Sequence, residues 1–406
     1  QQETIRGIAL RAKALGGRAM LVGGCVRDAL TGRGSADIDC EVYGLAPQAL
    51  RSLAAEFGEV DESGARYGIF SLKGAGIDLA VPRLERRTGP KHGDFDVRLD
   101  PALPFARAAA RRDFTVNAIL QDALTGEIVD PFGGQDDLRR GVLRAVPGDG
   151  FAEDPLRVLR GAQFAARFRL SPDAKTLEKM RTMRTDALSP ARVLGEMKKA
   201  MASDAPDVFF DVLRRADALR TWFGELAALI GVPQPPRYHP EGDAYTHSMR
   251  VLHAAAQKKA RALRPEAFVF AALTHDLGKA VSTARGEDGE WHACGHENTG
   301  VPLTRAMLGR LGVNREIIAY CENMCRLHMR AHVCHYRQAE TGETNLLFDE
   351  SVCPNDLALL AVCDTLGKGS ASGGADGEAA FLTGRVRVYE DVRRHELYHH
   401  RQDHRL

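Results

Sequence analysis

No stretch of this chain approaches the roughly 18 consecutive apolar residues of a membrane-spanning helix, and the amino end lacks the charged-then-apolar pattern of a secretory signal. Insertion into a membrane is therefore not expected. A first residue of Gln1 in place of Met suggests a trimmed chain. The eight cysteines form no Cys-x-x-Cys pair, which argues against a zinc ribbon and against a disulfide framework and points to a reducing cytoplasm. Cys321 and Cys325, four apart in a helical stretch, read as buried thiols. Excess charge is missing too: 55 basic residues against 54 acidic leave a formal net charge of +1, so the overall balance gives no hint of nucleic acid. No internal repeat or low-complexity segment stands out. What is present is an ordinary globular composition, 44% hydrophobic, in 406 residues, enough for two or three domains with cores of their own.

Local charge is less even. Arg83, Arg86, Arg87, Lys91, Arg98, Arg107, Arg111 and Arg112 crowd one segment, and Arg157, Arg160, Arg167 and Arg169 another. Residues 1–130 mix helix and strand. An amphipathic helix (Ile5, Ile8, Ala9, Ala12, Leu15) ends at Gly16-Gly17, followed by strands at Ala19–Val22 and Asp37–Val42, a helix at Pro47–Phe57, and a hairpin of Ile69–Leu72 with Ile77–Val81. From Phe151 to about Leu229 the pattern is helical. Pro233-Gln-Pro-Pro236 breaks it and is the best linker in the chain. Beyond lie helices near Thr246–Ala262, Ala267–Leu273, Val301–Leu311, Arg315–His328 and Asn355–Asp364, with an acidic loop expected at Glu340–Asp349.

The most informative feature is a glycine-rich turn followed by two aspartates, Leu21-Val-Gly-Gly-Cys-Val-Arg-Asp28 and then Asp37-Ile-Asp39. On a strand, residues i and i+2 share a face, so both carboxylates can grip one pair of divalent ions. Gly23 and Gly24 let the backbone approach a triphosphate, and a helix starting near Cys25 aims its N-terminus at the same anion. Arg27, one turn in, can reach phosphate as a forked donor. Asp78, in an apolar-Asp-apolar-Ala strand, is the best-placed third carboxylate, with a solvent-facing strand residue as the alternative. In Arg111-Arg112-Asp113-Phe-Thr-Val-Asn117, Asp113 is suited to cap a helix with Asn117 one turn on. Asp130-Pro-Phe-Gly-Gly134, with Arg144 beyond, carries glycines that permit backbone bending. In Glu153-Asp154-Pro-Leu-Arg157, Pro155 suits a first helical turn, and Asp154 and Arg157 share a face. A carboxylate and a guanidinium held side by side also form a donor/acceptor edge that can pair with a base.

These motifs, in this order and spacing across residues 21–160, resemble class II tRNA nucleotidyltransferases, the CCA-adding enzymes and their poly(A) polymerase relatives in the polymerase β superfamily. The resemblance implies Asp37, Asp39 and Asp78 as catalytic residues, with Asp37 and Asp39 holding Mg²⁺. It implies Gly24, Arg27, Arg112, Asp113, Asn117, Asp154, Arg157 and Arg160 as nucleotide-binding residues, Asp154 and Arg157 selecting CTP and ATP without a nucleic-acid template. It makes Pro82–Arg98, with Arg86, Arg87, Lys91, Asp94, Gly89 and Gly93, the flexible loop that switches from C to A addition. Asp130-Pro-Phe-Gly-Gly134 with Arg144 resembles the hinge motif of the family. tRNA is the expected partner, held by shape and backbone through the basic neck.

His275-Asp276-Leu-Gly-Lys279 is an HD signature, in which imidazole nitrogen and carboxylate oxygen together suit a divalent transition ion. The family set continues with His247 before it and Asp364 after it, and His296 and His328 resemble ligands of a second ion. Ni²⁺ and Mn²⁺ are the candidate metals. The resemblance implies phosphohydrolase activity on 2′,3′-cyclic phosphates, 2′-nucleotides or phosphate esters, against the alternative of a degenerate HD domain retained to hold tRNA. Departures from the family pattern are Cys40-Glu41 after the second aspartate, Thr31 before Gly32, and a basic, histidine-rich end from Arg393 to Arg405 that reads as a disordered arm or a solvated end.

The resulting expectation is an α+β protein: a polymerase β-type head over residues 1–147, a helical neck and body over 148–232, and an all-helical HD tail over 233–406. Its reaction would be untemplated addition of CCA to tRNA from CTP and ATP. Open alternatives are a poly(A) polymerase, a specialist adding only CC or only A, and an HD phosphohydrolase whose head merely binds RNA.

Overall fold

Glycines at 16 and 17 stop the first amphipathic helix, and the chain then enters a sheet whose alternation sorts polar from apolar side chains. The computed structural model describes residues 1–87, 95–369 and 374–403. The chain forms two compact units, Gln1–Arg157 with Leu170–Met183, and Val158–Arg169 with Arg184–Leu406. Residues 232 and 233, where the sequence suggests a boundary, both lie inside the second unit.

The first unit begins with α1 (Gln2–Ala14), which buries Ile5, Ile8, Ala9 and Ala12, the i, i+3, i+4, i+7 stripe of a helix lying on a core. Then come β1 (Arg18–Val22), α2 (Gly24–Leu30), β2 (Ile38–Tyr43), α3 (Pro47–Ala55), β3 (Val60–Asp61), β4 (Ile69–Leu72), β5 (Ile77–Ala80), β6 (Arg83–Arg87), β7 (Phe95–Leu99), α4 (Phe105–Ala109), β8 (Leu120–Asp122), β9 (Ile128–Val129), α5 (Gly134–Arg140) and β10 (Val142–Leu143). Seven strands make one sheet in the order β3-β4-β5-β2-β1-β8-β9. Its β2–β5 pair is parallel and its other pairs antiparallel. Both faces are covered. Ala19, Cys40, Val42, Ile77 and Leu79 join α1 and α3 in one cluster, while Met20, Val22, Tyr43 and Leu120 join Ala108 and Ala109 in the other. A strand covered on both sides holds its register firmly, because a one-residue slip would turn its whole side-chain set over.

Within Pro82–Arg98, expected as a flexible loop, β6 pairs antiparallel with β7 as the two arms of a hairpin. Gly89, Lys91, Gly93 and Asp94 lie outside the described residues. α6 (Leu156–Phe168) carries the chain out of the first unit, and β11 (Ser171–Pro172) and α7 (Ala174–Arg181) return to it, β11 pairing parallel with β10.

The second unit is helical: α8 (Pro190–Met201), α9 (Pro206–Arg215), the short α10 (Leu219–Trp222) and α11 (Gly224–Ala227), α12 (Ala244–Lys258), α13 (Pro265–Thr274) and α14 (Lys279–Ser282), then a small β12 (Ala284–Arg285) and β13 (Trp291–His292) hairpin, α15 (His296–Arg310), α16 (Arg315–Tyr336), α17 (Thr341–Glu350), α18 (Pro354–Gly367) and α19 (Ala375–Asp403). Phe209, Phe210 and Phe223 meet edge to face at one end of it. Every residue of α13 from Ala267 to Thr274 is buried, which makes it the central helix. The Pro233–Pro236 stretch is packed rather than loose: Gln234 donates to Gly242 O at 3.2 Å and accepts from Lys279 Nζ at 2.8 Å.

One sequence expectation fails here. Glu340–Asp349 is not a loop but α17, because Thr344, Leu347 and Phe348 form a buried stripe beneath the acidic surface. The histidine-rich end is helical to Asp403, continuing α19, where Leu382 and Val386 are buried. Cys321 and Cys325 are indeed buried free thiols. No helix among the described residues is long and apolar enough to cross a membrane.

Two candidate active sites

The parallel pairing of β2 with β5 puts Asp39 directly opposite Asp78. Asp37 is the residue just before β2, so alternation points it and Asp39 to the same side, while Ile38, Cys40 and Val42 turn into the core. Asp39 is open to solvent, yet its carboxyl is held above the ordinary range. The surrounding protein is the first cause, Arg112 opposes it, and Asp78, Asp37 and Glu41 add repulsion. Like charges gathered on one edge with oxygen donors only are suited to a hard divalent cation such as Mg²⁺.

Across β1, Val22 is the register partner of Asp39, so the turn after it rises beside the carboxylates. Gly23 has φ +75, and a Cβ there would stand 2.8 Å from Arg112 Nη1 and 3.5 Å from Asp39 Oδ2. Only glycine supplies that backbone and leaves that space. Gly24 opens α2 as expected, but Arg27 is not turned outward as a free fork. It is 5% exposed and donates from Nη1 to Asn117 Oδ1 at 2.6 Å and from Nε and Nη2 to Asp28. Asn117 Nδ2 in turn donates to Asp113 Oδ1 at 2.9 Å. Arg27, Asn117 and Asp113 are thus one buried chain. Asp113 also accepts from the Phe114 amide, but the turn it serves, Thr115–Asn117, is a single 3₁₀ turn and not the helix expected.

That turn is braced from below by the supposed hinge. Asp130 accepts the amides of Gly134 and Gln135, starting α5, and Asp137 accepts from Thr115 Oγ1 and Arg144 Nη2, both at 2.6 Å. A Cβ on Gly134 would fall 2.2 Å from Thr115 O, so this glycine is required by close packing. Gly134→Ala is expected to lower the stability of the first unit by about 1–3 kcal/mol, the range for overpacking a tight contact; denaturant unfolding of the variant beside the parent checks it.

Asp154 Oδ1 accepts the Leu156 amide at 3.0 Å just ahead of α6. Arg157 donates to Gly150 O and Arg111 O, both at 2.6 Å, which ties it to the motif that carries Arg112. Arg160 belongs to the second unit, its guanidinium 5.1 Å from the Phe164 ring centroid.

In the second unit, every expected HD residue is buried and they converge. α12 supplies His247, the end of α13 supplies His275 and Asp276, α15 supplies His296, α16 supplies His328 and α18 supplies Asp364. Their ligand atoms form two groups, His247, His275 and Asp364, and Asp276, His296 and His328. Asp276 joins them, with Oδ2 3.2 Å from His275 Nε2 and Oδ1 3.1 Å from His296 Nε2.

The Nδ1 atoms of His275, His296 and His328 lie 2.6–2.8 Å from the carbonyls of Ala272, Ala293 and Cys325, and Nδ1 of His247 lies 2.7 Å from Glu241 Oε1. Those acceptors fix the proton on Nδ1 and leave each Nε2 as a lone pair aimed inward. His296 Nε2 and His328 Nε2 are 3.2 Å apart, and His247 Nε2 is 2.9 Å from Asp364 Oδ1. Among the described residues, His247 Nε2, His275 Nε2, Asp276 Oδ1 and Asp364 Oδ1 are buried without a hydrogen-bond partner, while Asp276 Oδ2 has Lys279 Nζ at 2.7 Å. Lys279 supplies one positive charge to this buried cluster, and the remaining crowded N and O donors fit a metal centre of mixed ligands.

Charge supports the same reading. Burial pushes the Asp276 carboxyl up, but His275 and Lys279 outweigh it and hold it well below the carboxylate range. Burial drives His328 down to about 4, which keeps it a neutral ligand. A cavity of about 590 Å³ opens beside the centre, lined by His296, Asp364, Lys279, Lys368, Tyr238 and Trp291.

Two family models match this chain. Residues 19–144 match the poly A polymerase head domain and residues 244–366 the HD domain. The multifunctional CCA protein of Nitrosococcus oceani is 41% identical over 318 residues, covering 77% of this chain and 74% of that protein. This chain belongs to the multifunctional CCA protein family. The Pseudomonas aeruginosa member is 38% identical over 336 residues, covering 80% of this chain and 77% of its own length. Among solved structures, the Thermotoga maritima CCA-adding enzyme complexed with tRNA superposes with a TM-score of 0.62 at 17% identity, covering 96% of this chain and 82% of that one. The Bacillus stearothermophilus CCA-adding enzyme in complex with CTP gives 0.58 at 20% identity, covering 95% and 82%. At those identities the likeness is one of fold.

Several supporting residues in this family member escaped the sequence reading. Glu241 holds His247. His332 lies one turn beyond His328 on α16, its Nε2 2.6 Å from Asp364 Oδ2 and its Nδ1 2.7 Å from Glu378 Oε1. Burial opposes its charge, but the Asp364 and Glu378 carboxylates raise it to about 9. The i, i+4 repeat of His328 and His332 was the one available signal.

Proposed function

We infer that this chain adds C, C and A to the 3′ end of tRNA from CTP and ATP, without a nucleic-acid template. The observation that carries this is the in-register Asp39 and Asp78 pair, with Asp37, beside the Gly23 turn, in a member of the multifunctional CCA protein family. In the reaction the tRNA 3′ hydroxyl attacks the α-phosphorus of the nucleotide, a P–O bond forms, and the bond to the leaving pyrophosphate breaks. Asp37, Asp39 and Asp78 would hold Mg²⁺, which when bound eases hydroxyl deprotonation and neutralises the leaving group. Arg112 and the Gly23–Gly24 turn lie against the triphosphate. The Arg27–Asn117–Asp113 chain holds the sugar side in place, and Asp154 with Arg157 presents the edge that reads the base. Arg160, further along α6, is assigned a nucleotide-binding role as well. The three-part division into a head over 1–147, a neck and body over 148–232 and an HD tail over 233–406 describes these tasks, and the cytoplasm, where tRNA is processed, is the setting proposed.

The HD centre supports a second activity, hydrolysis of phosphate esters. His247, His275, Asp276 and Asp364 would hold one transition ion, Ni²⁺ or Mn²⁺, and Asp276, His296 and His328 a second; a bound divalent ion supplies a water of lowered pKa. Lys279 and Lys368 line the cavity and offer positive charge to a phosphate.

The test is incubation with tRNA lacking its last three nucleotides, each nucleoside triphosphate offered alone and together, with products resolved at single-nucleotide length. CTP alone should add two residues, and CTP with ATP three. Long tails from ATP alone would mean a poly(A) polymerase. A stop after two residues with both nucleotides present would mean a CC specialist.

A further inference from the structure

Glu41 continues the alternation of Asp37 and Asp39 on β2, and the nucleotide-site reading leaves it without a task. It is 2% exposed. A carboxylate placed so deep needs partners for both oxygens. Oε1 accepts from Arg111 Nη2 at 2.7 Å and from Arg112 Nη2 at 3.3 Å, and Oε2 accepts from the Tyr43 hydroxyl at 2.9 Å.

Arg112 faces two ways. Its Nη2 is on Glu41, and its Nη1 leans over the Gly23 turn, with Asp39 Oδ2 near the same point. The guanidinium therefore sits between the buried Glu41 and the exposed cluster of Asp37, Asp39 and Asp78. Released from Glu41, it would be drawn onto Asp39 and would cover the oxygens that face the cleft. Arg111 and Tyr43 fix the anchor itself, since each takes a lone pair that Glu41 would otherwise offer to a different rotamer. We propose that Glu41 is a positioning residue of the nucleotidyl-transfer site, holding Arg112 off Asp39 and over the turn where the triphosphate lies. This rests on the nucleotide-site reading above.

The experiment compares the full chain with its Glu41→Gln, Arg112→Ala and double variants in CTP incorporation on tRNA lacking its 3′ end, varying CTP and Mg²⁺ separately. Glu41→Gln should raise KM for CTP about tenfold, the equivalent of one charge-assisted hydrogen bond, and should raise half-saturating Mg²⁺ severalfold with a smaller change in kcat. The double variant should match Arg112→Ala, because Glu41 acts through that side chain. Glu41→Asp, one methylene short, should shift KM the same way, and it replaces Glu41→Gln if that variant does not fold. A KM and Mg²⁺ requirement within twofold of the parent, or fully additive losses in the double variant, overturns the proposal. Asp39→Ala is run alongside: if it is inactive and Glu41→Gln is unchanged, only the role of Glu41 falls. If Asp39→Ala still extends tRNA, the site reading falls and takes this proposal with it.

Discussion

Asp39→Asn should abolish CTP and ATP incorporation while leaving phosphate-ester hydrolysis by the second unit at its parent level. Asp39 sits at the centre of the carboxylate cluster: it pairs in register with Asp78, lies two residues from Asp37, and neighbours the Gly23 turn and Arg112. Asparagine keeps the size and the exposed position, so the sheet should survive, but it removes the charge that binds a divalent ion. Losing several kcal/mol of stabilisation of the developing charge corresponds to a fall of about a thousandfold or more. Product length on tRNA and unfolding temperature, measured on one preparation, separate lost chemistry from lost fold. Retention of a tenth of the parent rate would move the reacting centre elsewhere.

Asp276→Asn is the mirror experiment. Asp276 touches both ligand groups of the HD centre, one oxygen toward His275 and the other toward His296. An amide keeps the volume but offers one weak oxygen donor where two anionic ones stood. Bound transition metal, counted by elemental analysis after dialysis, should fall from two ions per chain to one or none. Hydrolysis of a phosphate ester should drop about a thousandfold. CCA addition should stay within twofold, because Asp37, Asp39 and Asp78 all belong to the first unit. Full metal content in the variant would show that Asp276 does not bridge.

How much of this was legible depends on how far apart the partners are in the chain. Alternation on β2 and the adjacent pair His275-Asp276 are local, so the sequence suffices to place them on one face and at one helix end. The same alternation runs one step further to Glu41, but a buried acid looks like an exposed one until Arg111 and Arg112, about seventy residues on, are seen to fold onto it. Arg27 was expected to face phosphate because short-range logic puts it one turn into α2. Its partner Asn117 comes from a distant 3₁₀ turn and draws it inward. α17 reads as a loop because its three acids match its three buried residues in number, and only the spacing of Thr344, Leu347 and Phe348 marks the helix. Glu378 could not be found at all, since 46 residues separate it from His332.

Asp39 and Asp78 owe their spacing to backbone pairing between adjacent parallel strands, not to any side chain that could be remodelled. Neighbouring strands lie about 4.8 Å apart whatever residues they carry. The sheet therefore works as a ruler that sets the gap between catalytic carboxylates, and that ruler is indifferent to drift in the helices packed on it. Substitutions under α1 or α3 should lower the melting point well before they alter metal affinity, a tolerance that leaves the outside of the molecule open to change while the chemistry stays put.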